Sequence, residues 1–424
     1  MISRRFVVAT AVVVTAGLFL AGCSGTSHPS DSTAAPSGTV TLETTSSNQP
    51  AVTAVIAAFE KAYPKITVTA NYADTAPYQS NLRTQLSAGT APDVFTVWAG
   101  SGNPGAVKVL QKDGYLTDLS SSPWVSKLPA SIKKEIQIGG KVYGLPSKLD
   151  AIGVIYNEET LKSLDLTIPK TWDQLLGFCQ AAKAKGKFAL ALGNQTTWVT
   201  QLISYALVAN TVYAKDPQFD AQMAKGTATF VKSGWVTALN KYLEMEKEGC
   251  FNPSPLGTNV DASYQMVTGG QAVGVVQVMS SLPQIESTAA AGTHFGFFVL
   301  PGTNAREQYM PVGLGVSFAL NKKAKNPEAA RTFINWLATQ PALKTWFTAA
   351  PGIPAVNVAG VPVQSAVAVA QAQIATGRTS PFPDANWPNP QVQNAHLIGI
   401  QNLFSGSQSV DQVLTSMQNA YNGD

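Results

Sequence analysis

Four loops in this chain concentrate hydroxyls, carboxamides and indoles. The first holds Thr45, Ser46, Ser47, Asn48 and Gln49, and the second Trp98, Ser101 and Asn103. The third holds Asn194, Gln195, Thr197 and Trp198, and the fourth Met279, Ser280 and Ser281. Amides and hydroxyls pair with OH groups, and an indole face stacks on the apolar C–H side of a pyranose. Such a set suits a neutral, hydroxyl-bearing ligand. The same residue types also cap helices and close turns, the ordinary use of any single Ser or Asn. Their recurrence in four loops, two with Trp, tips the balance toward a ligand.

Other chemistry finds less support. The chain contains no GxSxG, HExxH, CxxC or Walker A sequence. Gly100-Ser101-Gly102-Asn103-Pro104-Gly105 is a literal GxGxxG. A nicotinamide site would place it after the first strand with an acid ending a second strand, and Pro104 removes an N–H. His294 and His396 are far apart, without an evident metal partner, so neither metal nor cofactor is expected. An exported glycoside hydrolase would need two acids facing each other across a scissile bond, and no convincing pair stands out.

Strands and helices must position these loops. Val40–Thr44 alternates as a strand, Val52, Val55, Ile56, Phe59 and Tyr63 recur at helical spacing, and Ile66–Thr69 returns to β character. A helix over 78–88 and a strand over 93–97 follow, giving the strand–helix alternation of a parallel sheet. The pattern resumes with a hairpin near 139–146, strands at 151–157, 188–192, 271–278, 295–300 and 316–320, and helices at 172–185, 198–209, 235–248 and 327–339. Residues 352–390 read as partly irregular, and a last amphipathic helix holds Val410, Val413, Leu414 and Met417. The fold class is α/β. In open α/β sheets ligands sit beyond the C-terminal strand ends, where the polar loops fall.

The 424 residues suffice for two or three domains, and 45% hydrophobic content excludes a disordered chain. A net charge of +4 from 29 basic and 25 acidic side chains is too weak and dispersed for a nucleic-acid surface. Residues 1–22 read as a signal peptide, with Arg4 and Arg5 before an apolar run. It ends in Leu20-Ala21-Gly22-Cys23, which resembles a bacterial lipobox and implies lipidation of Cys23. Residues 23–38 read as a flexible tether. The expected location is therefore outside the cytoplasm, anchored to the cell membrane by lipid. Cys179 and Cys250 then read first as a disulfide, with two buried thiols as the alternative. Closing about 70 residues would stabilise by roughly 4 kcal/mol in the chain-entropy account.

Several short segments, in order, carry a resemblance. They are Ala91-Pro92-Asp93-Val94 before Trp98, Gly140-Lys141-Val142-Tyr143-Gly144-Leu145-Pro146 followed by Ile155-Tyr156-Asn157, and Pro169-Lys170-Thr171-Trp172-Asp173-Gln174-Leu175. Gly269-Gly270-Gln271-Ala272 and Asn326-Pro327-Glu328-Ala329-Ala330 before Phe333 and Trp336 complete the set. Together they resemble extracellular solute-binding protein family 1, the maltose-binding-protein-like sugar receptors of ABC importers. The resemblance implies a two-lobed periplasmic-binding-protein fold of type II, with ligand in a cleft and hinge segments between lobes. Hinges are expected near Asp150-Ala151 and Leu300-Pro301, with a third crossing after the helix at 327–339. Lobe 1 would span 39–150 and 301–345, and lobe 2 would span 151–300 and 346–424. A monomer is expected, delivering a mono- or oligosaccharide to permease subunits without catalysis and without contact to nucleic acid.

By the same resemblance the ligand would meet Ser46, Asn48, Trp98, Asp150, Asn194, Trp198, Met279, Ser280, Gly313, Arg378 and Trp387. Met279-Ser280 stands where many relatives place Trp. Gly313 lets backbone approach a ligand, and Arg378 opens a rival reading, a phosphorylated polyol such as a glycerophosphodiester. A protein-binding role such as adhesion would account for lipidation but not for the four polar loops.

Overall fold

The structure, a computed structural model, describes residues 36–423. The signal peptide, Cys23 and most of the tether lie outside these residues. Two sheets organise the described chain. The first runs Ile66–Ala73, Gly38–Thr45, Val94–Val97, Ser317–Leu320, Leu145–Pro146 in spatial order. Its first three strands are parallel, joined by helices, and Ser317–Leu320 enters antiparallel to Val94–Val97. Period-2 alternation separates two cores: Val40, Leu42 and Val94 pack on one face, Phe95 and Val97 on the other. The helix Gln49–Ala62 buries Val52, Val55 and Phe59 at helical spacing, and Phe59 meets Phe333 edge-on at 4.9 Å. Asp93 explains the Pro-Asp-Val segment: its buried carboxylate accepts the N–H and hydroxyl of Thr41 and the N–H groups of Lys325 and Asn326. One side chain thereby ties three chain segments together.

The second sheet is built on the ten-residue strand Lys148–Asn157. This strand pairs with Met310–Leu314 and Ile353–Pro354 near its start and with Phe295–Phe298 and Ala272–Val278 further on. Thr379–Ser380 and Phe188–Ala191 complete the sheet. Ile152 and Val154 face one apolar core and Ala151 and Ile155 another. Trp235, fully buried, lies in the larger of these. Cys179, on the helix Trp172–Ala184, is bonded to Cys250, which follows the helix Gly234–Lys247. Both ends of the bridge belong to the larger core of this lobe. The fold is two-lobed α/β.

The chain passes between the sheets at Ser147, at Gly315–Val316 and between the helix Gln340–Ala349 and Ile353. The Ser147 hydroxyl donates to the Val316 carbonyl at 2.6 Å and Gly315 N–H to the Lys148 carbonyl at 3.0 Å, so two crossings are bonded to each other. These positions differ from those expected. Asp150-Ala151 lies inside a paired strand, and Met310–Leu314, assigned to lobe 1 by its sequence position, joins the second sheet. Alternating apolar residues announce a strand, not the sheet it joins. Two helices in the stretch read as partly irregular or beyond it, Ser365–Ala375 and Pro390–Phe404, also emerge only in the structure.

Candidate functional site

A cavity of about 420 Å³ lies between the lobes, at the C-terminal ends of the parallel strands. Its size falls in the ~300–1,000 Å³ range of small-molecule sites. Lobe 1 contributes the loop Thr45–Ser47, the start of the helix Thr75–Ala88, Trp98 and Asn103. Lobe 2 contributes Thr196–Trp198, the start of the helix Val260–Thr268, Ser280, and a wall of Gln201, Tyr205, Phe382, Asp384 and Gln393.

Five of the expected residues meet there: Ser46, Trp98, Asp150, Trp198 and Ser280. Trp98 and Trp198 come from opposite lobes, both half-buried, and Trp98 is braced against Tyr78 at 5.7 Å. Asp150 accepts the Ser280 N–H at 3.0 Å and its hydroxyl at 2.6 Å, one on each carboxylate oxygen. Burial raises the Asp150 carboxyl above its ordinary value, opposed by Lys148 and the Ser280 bonds. Lys148 lies beneath the wall, 7% exposed, donating to Asn48 Oδ1 at 3.0 Å.

Six expected residues do not reach the cavity wall, each for a visible reason. Asn48 is buried, its amide donating to the hydroxyls of Thr44 and Thr45. Asn194 is fully buried against Tyr242 and its carbonyl accepts from Gln401. Met279 is core. Gly313 pairs with Asp150 in the sheet and faces the Phe382 ring; its neighbours Leu314 and Gly315 line the cavity instead. Arg378 bonds the Thr376 hydroxyl and the Arg306 carbonyl, each at 3.4 Å. Trp387 is 2% exposed, packed among Tyr205, Phe230, Trp235 and His396.

Gln201, Tyr205 and Gln393 join the wall beside Asp384 without having been among the expected ligand residues. The four come from the helices Thr200–Val208 and Pro390–Phe404 and the turn Pro383–Asn386. Asp384 ends the segment Arg378–Asp384, which the family resemblance places near the cleft. Gln393 Nε2 donates to Asp384 Oδ2 and to Gln201 Oε1, both at 3.1 Å. Burial pushes the Asp384 carboxyl up to about 6. The lining carries four carboxylates, from Asp74, Asp150, Asp261 and Asp384, and no Lys, Arg or His among the described residues. Such a wall repels anions and accepts hydrogen bonds from donors. Among the described residues no group of three or more His, Cys, Asp or Glu could hold a metal ion, and no helix is long and apolar enough to cross a membrane.

Comparison with known proteins agrees with this geometry. The profile of the family described as bacterial extracellular solute-binding protein matches residues 44–344. The chain is similar to a multiple sugar-binding protein of Streptococcus mutans, at 23% identity over 69% of each chain. It is similar to the maltodextrin-binding protein MdxE of Bacillus subtilis, at 25% identity over 84% of this chain and 81% of the relative. A solved chitin oligosaccharide binding protein superposes with a TM-score of 0.78 at 20% identity, covering 91% of this chain and 98% of that one.

Proposed function

We propose, because the chain belongs to the bacterial extracellular solute-binding protein family, that it captures a carbohydrate in the interlobe cavity and delivers it unaltered to an ABC permease. The carrying observation is that Trp98 and Trp198, from opposite lobes, line one cavity whose remaining wall sets hydroxyl, amide and carboxylate groups among apolar side chains such as Ile152, Leu202 and Phe382. Indoles supply stacking faces, and the carboxylates accept charge-assisted hydrogen bonds from sugar hydroxyls. Neither lobe offers both faces alone, so the closed arrangement gains contacts that an open one lacks, and ligand shifts the equilibrium toward closure. The bending points of that motion are the crossings at Ser147, Gly315–Val316 and residues 350–352. The relatives named for multiple sugars and maltodextrin support an oligosaccharide as ligand. Anchoring through lipid on Cys23 completes the reading, keeping the receptor beside its permease.

The phosphorylated alternative loses its main support, since Arg378 is engaged elsewhere and the wall is acidic. Hydrolysis would need two acids facing each other across the scissile bond, and of the four carboxylates on the wall Asp150 already has both oxygens taken by Ser280. A thermal-shift screen over sugars, glycerophosphodiesters and peptides tests the reading, because ligands that bind only the native state raise its apparent stability. A sugar is expected to raise Tm. A shift with phosphodiesters alone, or cleavage of labelled oligosaccharide by the purified protein, would overturn it.

A further inference from the structure

One corner of the cavity does more than line it. Asp384 lines the cavity, and Gln393 donates to its Oδ2 at 3.1 Å. Beside it stands the Tyr205 hydroxyl, in a residue 1% exposed, close enough to Asp384 and Gln393 to interact with both but with no well-formed hydrogen bond among the described residues. The Tyr205 ring cannot turn away freely: it stacks on His396 at 5.6 Å, and His396 Nε2 is bonded to the Ser204 hydroxyl at 2.9 Å. A rigidly held hydroxyl that lacks a well-formed bond, beside a carboxylate, has capacity for a ligand that supplies one.

The backbone of the same residue faces the other lobe. The Asp384 carbonyl accepts the Gly102 N–H at 3.0 Å, and the Ser101 hydroxyl donates to the Trp387 carbonyl at 2.6 Å. A Cβ on Gly100 would overlap the Ala385 carbonyl and one on Gly102 the Asp384 carbonyl; Gly100 also has a φ of +71°. These glycines of the GxGxxG segment are fitted to residues 384–387 of the opposite lobe.

We propose that Asp384 is a specificity-determining residue: its carboxylate, with the Tyr205 hydroxyl, takes an adjacent pair of sugar hydroxyls, while its carbonyl receives the Gly100–Gly102 turn of lobe 1. Recognition and closure thus meet in one residue. The proposal rests on the sugar-receptor reading above. It follows that the ionised carboxylate is the binding form. With the carboxyl near 6 by burial, affinity falls as pH drops through that value. Of the titratable groups around Asp384, Tyr205 and Tyr213 are held well above 10 and His396 is pressed down to about 3. Burial also raises Asp220, bonded to Tyr213 and Asn386, and the cavity's Asp150 and Asp261, so the comparison with Asp384→Asn isolates the share of Asp384.

Calorimetric titration of the folded chain with maltotriose, raffinose and diacetylchitobiose, over pH about 5 to 7.5, provides the test. Wild type is expected to bind at least one of these, less tightly at the acid end. Asp384→Asn should weaken that sugar by about tenfold or more at the high end and flatten the pH profile. Gly102→Ala should weaken it while keeping the wild-type profile. Binding by Asp384→Asn within about twofold of wild type, or a defect that leaves the pH profile intact, overturns the assignment of Asp384 but not the sugar reading. No binding of any sugar by wild type overturns both. Should Asp384→Asn fail to fold, Tyr205→Phe decides: a loss of about threefold or more supports the corner, and none overturns it.

Discussion

Asp150 and Asp384 are both carboxylates on the same cavity, and they differ in what already occupies them. Asp150 sits at the start of the long strand with Ser280 on both oxygens and Lys148 close by. Asp384 sits on a turn with one amide donor and, next to it, a phenol that lacks a well-formed bond. The first holds the floor of the cavity together. The second lines the cavity with acceptor capacity to spare. Proximity to a cavity is therefore a poor guide to a role; the count of satisfied lone pairs is a better one.

The contrast can be broken by substitution. Asp150→Ala should produce the largest effect, a loss of about 3–5 kcal/mol in stability measured by urea unfolding, because it leaves the buried Lys148 ammonium without a nearby compensating charge and Ser280 without its acceptor. If it changes sugar affinity and leaves stability alone, the assignment of the two acids is reversed. Trp98→Ala and Trp198→Ala should each cost about 1–3 kcal/mol in sugar affinity by calorimetry while leaving the unfolding midpoint near wild type.

Asp384→Asn should act on stability in the direction opposite to Asp150→Ala. Its carboxyl is raised to about 6 from 3.8, so between those values the native chain binds more protons than the unfolded one. Stability from this group is thus greatest in acid and falls as pH rises through about 6. Removing the charge should raise stability by about 1–2 kcal/mol at neutral pH, and little in acid, in parallel unfolding series. Arg378→Ala is the smallest case: sugar affinity should stay within about twofold, and a larger loss would reinstate a ligand role for that edge of the sheet.

Much of this architecture is legible in sequence where periodicity and caps agree. Thr171 accepts the Gln174 N–H at the start of the helix Trp172–Ala184, as its position before an apolar pattern predicts. The strand–helix alternation of the first sheet is likewise visible. The helix Pro390–Phe404 escaped because its inner face includes Gln393 and His396, polar residues buried at 5% and 0%, which blur the apolar stripe. The site divided the same way. Loops at strand ends could be located, but not the direction of each side chain: Asn48 and Asn194 occupy the expected loops and turn inward to Thr44 and Tyr242. The wall of Tyr205, Asp384 and Gln393 depends on which polar face a helix presents, and tertiary packing alone decides that.

The bond between Cys179 and Cys250 lies wholly within one lobe. It spans no crossing, so it neither staples the cleft shut nor props it open. The bond hardens that half against unfolding and proteolysis and leaves the three passages between the sheets without a covalent link. Durability and access are governed separately.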